Sequence, residues 1–269
     1  MNKIQYLLVD FFVKIIDFLH SSCYNIQTKT LTKIGKIYMK KKITKIGELS
    51  WIVGTILCAI GNCLVDKSQF GLSAIIAPAF ILQEKLSFLT VGFCEYIIQG
   101  ILLALCCLII KKFKWKFLAT VCNIIFYGAC FDMVSQVLIG FQPYTIPSRI
   151  LAAIIGMIIT GFAVALMLRT YIPPSIYEVF VKEVSLAKNI NMNKMKLLFD
   201  ASMLALSFIM MFALLGTFRF DLIGIITVVA AFLNSVLIGF FGMILDKYCT
   251  FSPAIPKLFE ILNPNKEYE

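Results

Sequence analysis

Three acidic side chains, Glu95, Asp132 and Asp200, fall inside long apolar runs of the chain. A charged group at mid-bilayer costs about 2.5–3.5 kcal/mol on insertion scales, so each needs a partner or a task. The task open to them is binding a small molecule or ion, with protonation of Glu95 or Asp132 coupled to the event, because burial raises a carboxyl pKa. Glu95 and Gln99 are four residues apart and share a helical face; Gly128, Asp132 and Gln136 form a similar row in the next run. Asp200 has Ser207 on its face two turns on. The competing reading is structural: Glu95 and Asp200 sit near span ends that water reaches, and Asp132 pairs with Arg149 or a backbone donor. Asn123 and Tyr127, like Asn62 and Asn234, serve equally well as interhelical hydrogen-bond glue or as ligands.

Enzyme chemistry is poorly supported. His20 is the single histidine, which excludes a His-dependent triad or a histidine zinc site within the membrane. P-loop, Rossmann glycine and H-E-x-x-H patterns are absent, so no cofactor is expected, and any energy source is an ion gradient or a separate subunit. Seven of the nine cysteines lie in apolar runs without a C-x-x-C pair and read as packing residues rather than metal or disulfide sites.

The elements that position these groups follow from the apolar runs. The 269 residues are 60% hydrophobic and 15% charged, against about a quarter charged in soluble domains. Six stretches, 49–65, 88–110, 118–139, 150–168, 197–215 and 222–245, are long enough to cross the roughly 30 Å hydrocarbon core as helices. The expected fold is all-α: a polytopic membrane protein of six transmembrane helices. With six spans, 21 of the 25 Lys and Arg residues fall on one side and only Lys67, Lys85, Arg149 and Arg219 on the other. The positive-inside rule then places both termini in the cytoplasm.

Residues 1–47 read as an amphipathic interfacial helix, with Ile4, Leu8, Phe11, Ile15 and Phe18 on one face, followed by a polybasic arm suited to anionic lipid headgroups. The +10 formal charge flanks the spans without aromatic-basic interleaving, which favours lipid over nucleic acid. The membrane domain covers 48–248, and 249–269 form a cytoplasmic tail.

Within 48–248 an order of elements occurs twice, over 48–141 and 149–248: one span, a linker, a short segment, then two spans. Gly54 aligns with Gly156, Ser73 with Ser175, Glu95 with Asp200 and Phe113 with Phe218. Three spans per half invert the second half relative to the first. The segment from Phe70 to Leu86, broken by Pro78, is either re-entrant or interfacial. Its counterpart from Tyr171 to Ile190, with Pro173 and Pro174, is more polar and reads as interfacial. In such folds short or broken segments approach the site, so Gly71, Ser73 and Pro78 are expected at one gate and Pro174 and Tyr177 at the other.

The sequences FGLSAIIAP, EYIIQG around Glu95, FYGACFD ending at Asp132, and YIPPSIYEVFVKEVS resemble the YitT/YczE group of bacterial membrane proteins, over roughly residues 48–248. The resemblance implies a six-helix protein of the bacterial plasma membrane and no particular substrate. The chain departs from the YitT branch in having no soluble domain after the last span. Two functions are compatible with these features. One is a transporter of a small molecule or ion, or the membrane substrate-binding subunit of one working with a separate ATPase module. The other is a non-transporting scaffold or regulator acting through its basic arm.

Overall fold

A computed structural model describes residues 43–111, 113–114 and 116–262; the amphipathic helix and polybasic arm expected before residue 43 lie outside them. The described chain is helical apart from one short pair of strands. Strand β1 (Ile43–Ile46) leads into α1 (Gly47–Ser68), followed by short α2 (Ala77–Lys85), α3 (Val91–Ile110) and α4 (Lys116–Val137). The order then recurs: α5 (Ile146–Met167), short α6 (Ile176–Lys188), α7 (Met192–Met210), continued by a π-helical turn (Met211–Leu215), and α8 (Ile225–Tyr248). Strand β2 (Cys249–Ser252) and α9 (Pro256–Leu262) close the described chain.

Six of these helices are long and apolar enough to cross a membrane. They match the six expected spans to within four residues at each end, inside the usual uncertainty of helix boundaries. Helix α1, at 22 residues, is about 33 Å long. Their outward faces keep Ile101, Leu108, Ile125, Ile154, Ile209 and Phe240 exposed, as lipid contact requires.

The bundle is built around α1 packed along α5. Close approach depends on small residues where the helices cross: a Cβ on Gly61 would lie 2.8 Å from the Gly156 carbonyl, and one on Gly156 would lie 2.6 Å from the Gly61 carbonyl. Helix α4 packs on α1, and α8 on α5. Helix α3 packs on α4, whereas α7 and α8 make at most marginal contact with each other. Each short helix is held by two long ones: α2 by α3 and α7, α6 by α3 and α7.

Polar ties fix the two ends of the bundle. At the end where the domain begins and finishes, β1 pairs in parallel with β2, Ile43 opposite Cys249. There Glu48 accepts from the Ala254 and Ile255 amides, Trp51 Nε1 donates to the Pro173 carbonyl at 3.1 Å, and Arg169 forms a two-pronged pair with Asp246 at 2.7 Å. At the other end the 69–72 linker runs against 222–226: Leu72 N donates to Leu222 O and Ile226 N to Phe70 O, both at 3.0 Å. Gly71, at φ +105°, lies in this crossing, where a side chain would meet the Gly224 backbone at 2.3 Å.

The stretch from Phe70 to Leu86 is therefore neither a free surface helix nor a span. Residues Leu72, Ala74 and Ile76–Ile81 are buried against protein. Pro78 stands in the first turn of α2, where its missing amide proton leaves no helical bond unmade. Buried protein surroundings are the condition under which non-helical backbone survives at depth.

Candidate functional site

Helices from both halves line a cavity of about 80 Å³ that is partly open to the outside of the bundle. Its wall combines apolar side chains, among them Cys58, Ile76, Val164, Met167 and Ile238, with a set of hydrogen-bonding groups. From the first half come Thr55, Asn62, Ser73, Gln99, Asn123 and Tyr127; from the second come Thr160, Ser175, Tyr177, Glu178, Lys196, Asp200, Asn234 and Ser235. Both α7 and α8 line it.

Several of these polar groups hold one another in fixed orientations. Asn62 Nδ2 donates to the Tyr127 hydroxyl at 2.9 Å, while Thr160 donates to Asn62 Oδ1 at 3.4 Å, joining α1, α4 and α5. Gln99 Nε2 donates to Glu95 Oε2 at 2.7 Å and the Tyr177 hydroxyl donates to the same oxygen at 2.8 Å. Glu95 is fully buried and stands behind Gln99 and Tyr177 rather than in the cavity wall. The pairing along one helix face expected for Glu95 and Gln99 is present, and Tyr177 adds a bond from the short helix of the other half.

Among the described residues some buried polar atoms have no partner, including Gln99 Oε1, Asn123 Nδ2, Asn234 Oδ1 and Glu95 Oε1; they have almost no accessible surface, so they do not face the open space of the cavity. Gln99 is 1% exposed and Asn123 2%. Among the charged groups, Lys196 pairs with Asp200 one turn away at 3.2 Å, and Glu178 accepts from the Ser175 hydroxyl. Among the described residues no three His, Cys, Asp or Glu side chains converge as a metal site requires.

The structure thus brings Ser73, Gln99, Asn123, Tyr127, Tyr177 and Asp200 to one cavity and leaves Gly71, Pro78, Asp132, Arg149 and Pro174 out of its wall. Asp132 and Arg149 do not pair; each caps a helix. Asp132 Oδ1 accepts from the Gly92 amide at 2.8 Å and Oδ2 from the Thr90 hydroxyl at 2.7 Å, placing a carboxylate on the positive start of α3. Arg149 donates from Nε to the Ser68 carbonyl at 2.8 Å and lies 4.7 Å from the Phe70 ring, placing a cation on the negative end of α1. Asp132 and Glu95 therefore do not share a cavity.

Sequence reasoning missed Glu178 and Lys196 as wall residues. The i, i+4 spacing of Lys196 and Asp200 was the available signal for one of them. Glu178 carried none, because its place depends on how α6 folds back against α3.

Outside the spans, a buried ion cluster anchors α6. Glu183 is 1% exposed, and its two carboxylate oxygens meet the ammonium groups of Lys114 and Lys116 from the α3–α4 connection. Burial alone would raise its pKa, but the two lysines outweigh burial and hold the carboxyl below its ordinary value. In the α7–α8 connection, Arg219 pairs with Asp221 at 2.6 Å and reaches Glu84 of α2 at 3.4 Å. The hydrogen bond from Arg219 holds the Asp221 carboxyl below its ordinary value.

Six apolar helices around a protein-lined cavity define a multi-pass integral membrane protein. The chain belongs to DUF6198, a family of unknown function, whose match spans residues 46–243. Neither a curated protein nor a solved structure matches it.

Proposed function

We propose that the chain is a transporter of a small molecule, or the membrane substrate-binding subunit of one, with the central cavity as its site. The observation that carries this reading is a cavity lined by hydrogen-bonding side chains of both halves, among them Asn62, Gln99, Asn123, Tyr127, Thr160 and Asn234. A polar side chain inside a helical bundle costs free energy unless it is hydrogen-bonded, about 1–3 kcal/mol when it is not, so a bundle selected for stability alone would have apolar residues there. A ligand that bonds to these polar side chains recovers that cost on binding.

The arrangement of the halves supports the same reading. Each contributes a long helix to the α1–α5 seam and a short helix to one end of the bundle, in an order compatible with two inverted repeats. Exchange of conformation between two such halves would open the cavity first to one side and then to the other. The lysine distribution favours cytoplasmic termini, and the YitT/YczE resemblance favours a bacterial plasma membrane. Reporter fusions after residue 140 and after residue 190 test the orientation: the first should report the exterior and the second the cytoplasm.

Ligand screening by thermal shift tests the binding site on purified full-length protein in mild detergent. A true ligand raises the melting temperature of the wild type, because it binds the folded state, and loses its effect on Asn123→Leu and Gln99→Leu proteins. A hit that stabilises all three proteins equally would remove the cavity as the site. Uptake by reconstituted protein that is indifferent to Glu95→Gln would remove Glu95 as a coupling group.

A further inference from the structure

We propose that the cavity is a slot open to the bilayer between α7 and α8, and that the ligand it takes is an amphiphile drawn sideways from the surrounding leaflet. This inference rests on the cavity being a ligand site, and it is carried by where the wall is closed and where it is not.

The wall is closed on the side of the first half. The residues that α1, α3 and α4 supply to it, Thr55, Cys58, Asn62, Gln99, Asn123 and Tyr127, are all buried. At the end away from the strand pair, backbone crosses the bundle: the 69–72 linker is bonded to 222–226, and Ile76–Ile81 lie buried beside it, with Ser73 and Ile75 half-buried.

The second half differs. Helix α7 contributes Lys196 and Asp200, both half-buried. Helix α8 contributes Asn234 and Ile238, half-buried, and Ser235, which is exposed as no other described wall residue is. A cavity of this size, shared among so many side chains, does not by itself expose one of them, so Ser235 marks the rim. Helices α7 and α8 make at most marginal contact with each other, whereas their counterparts α3 and α4 pack together. The opening therefore lies along the α7–α8 side.

Depth decides what the opening faces. Ser235 is about 15 Å from one end of α8 and about 20 Å from the other at about 1.5 Å per residue, close to the middle of a hydrocarbon core roughly 30 Å thick. An opening there meets acyl chains rather than water. Lys196 and Asp200 stand about 6 and 12 Å from the start of α7, and Glu178 stands in the first turn of α6, both toward the strand-pair end. The slot thus runs from charged and hydrogen-bonding groups near the headgroups to the apolar side chains of Ala230 and Ile238 deeper in. A molecule with one polar group and an alkyl tail matches both parts and enters without leaving the leaflet; a water-soluble solute matches the first part only.

The test is photolabelling of the full-length protein in phosphatidylcholine vesicles with lysophosphatidylcholine that carries a diazirine at mid-chain, mapped by mass spectrometry. Outward-facing Ile209 and Phe240 take label whatever the cavity does. Val164 and Ala230 are buried in the wall, so label on them reports an alkyl tail inside. The expected map includes Val164 or Ala230, and excess unlabelled lysophosphatidylcholine removes that label while sparing Ile209 and Phe240. Ser235→Phe fills the rim and should lose the wall label, whereas Val236→Phe, one residue on and facing lipid, should keep it. Label confined to outward-facing residues of the wild type would overturn the inference without any variant having to fold. Wall label that survives Ser235→Phe would overturn the α7–α8 side as the way in, and displacement by glycerophosphocholine, the same headgroup without a tail, would assign a water-soluble ligand instead. Each of these failures leaves the broader reading to be decided by the ligand screen and its Gln99 and Asn123 variants.

Discussion

Replacing Glu183 by Gln keeps the shape of the side chain and removes one charge between two lysines. Both carboxylate oxygens are engaged, one by Lys114 and one by Lys116, and the side chain is 1% exposed while the lysines are 41% and 28% exposed. Breaking a fully buried pair on one side costs about 3–5 kcal/mol, because the surviving charge is trapped. Here the surviving lysines can turn to water, so the loss lies nearer one charge-assisted hydrogen bond, about 2 kcal/mol. For a domain of this size that is a fall in melting temperature of roughly 4–8 °C. The pH dependence has a definite sign. The folded carboxyl titrates below its ordinary value of 4.5, so its contribution is complete above that pH and is lost as the pH falls through the folded value. The difference between wild type and Glu183→Gln, followed by intrinsic fluorescence on heating, should be constant from roughly pH 8 to pH 5 and shrink only below that. Equal melting temperatures at neutral pH, or a difference that grows on acidification, would refute the argument that the two lysines outweigh burial.

Four further substitutions separate architecture from binding. Asp132→Ala removes the acceptor for the Gly92 amide and should cost about 0.5–2 kcal/mol of thermal stability, with ligand affinity unchanged because Asp132 is outside the cavity wall. Gly61→Ala puts a Cβ 2.3 Å from Thr160 Oγ1 and 2.8 Å from the Gly156 carbonyl, and spreading α1 from α5 should cost about 1–3 kcal/mol in the same melting assay. Gly100→Ala is its control: with nothing within 4 Å of the new methyl, it should be neutral or stabilising. Tyr177→Phe withdraws one of two donors from Glu95 Oε2 and should cost about 1–3 kcal/mol, and a double-mutant cycle with Glu95→Gln should show coupling between α6 and α3.

The spans were legible because hydropathy over about 20 residues reflects a demand of the bilayer that no local context overrides. The polar residues inside them were legible as unusual, and Gln99, Asn123, Tyr127 and Asp200 do meet at one cavity, joined by Tyr177 from the short helix α6. A backbone donor for Asp132 was among the expectations and is present, but which helix start it serves, and the cap made by Arg149, were not legible. The helix start that Asp132 serves is 40 residues away in the chain and the helix end that Arg149 serves is 81 residues away, distances that no local pattern reports. Gly71 was marked by its place beside a broken segment, yet its reason is a backbone crossing with Gly224, visible only once the two linkers are side by side. Glu178 was hidden for the same cause: a residue on a short amphipathic helix faces lipid, water or cavity according to how that helix is docked.

Docking of the short helices is therefore the step on which the site depends, and the ion pairs show how it is achieved. Lys114 and Arg219 follow Phe113 and Phe218, the pair aligned between the two halves, and each reaches the short helix of the other half: Lys114 to Glu183 on α6, Arg219 to Glu84 on α2. Helix α6 supplies Tyr177 and Glu178 to the cavity, and the linker before α2 supplies Ser73. Each connection thus meets the short helix of the other half through a charged contact as well as through apolar packing. The two contacts differ in strength: Glu183 is buried between two lysines, whereas Arg219 and Glu84 are 41% and 38% exposed and 3.4 Å apart. Solvent screens the second far more than the first, so the lysine pair contributes more to the docking of α6 than Arg219 contributes to that of α2, which rests chiefly on its buried apolar face and on the Leu72–Leu222 backbone bond.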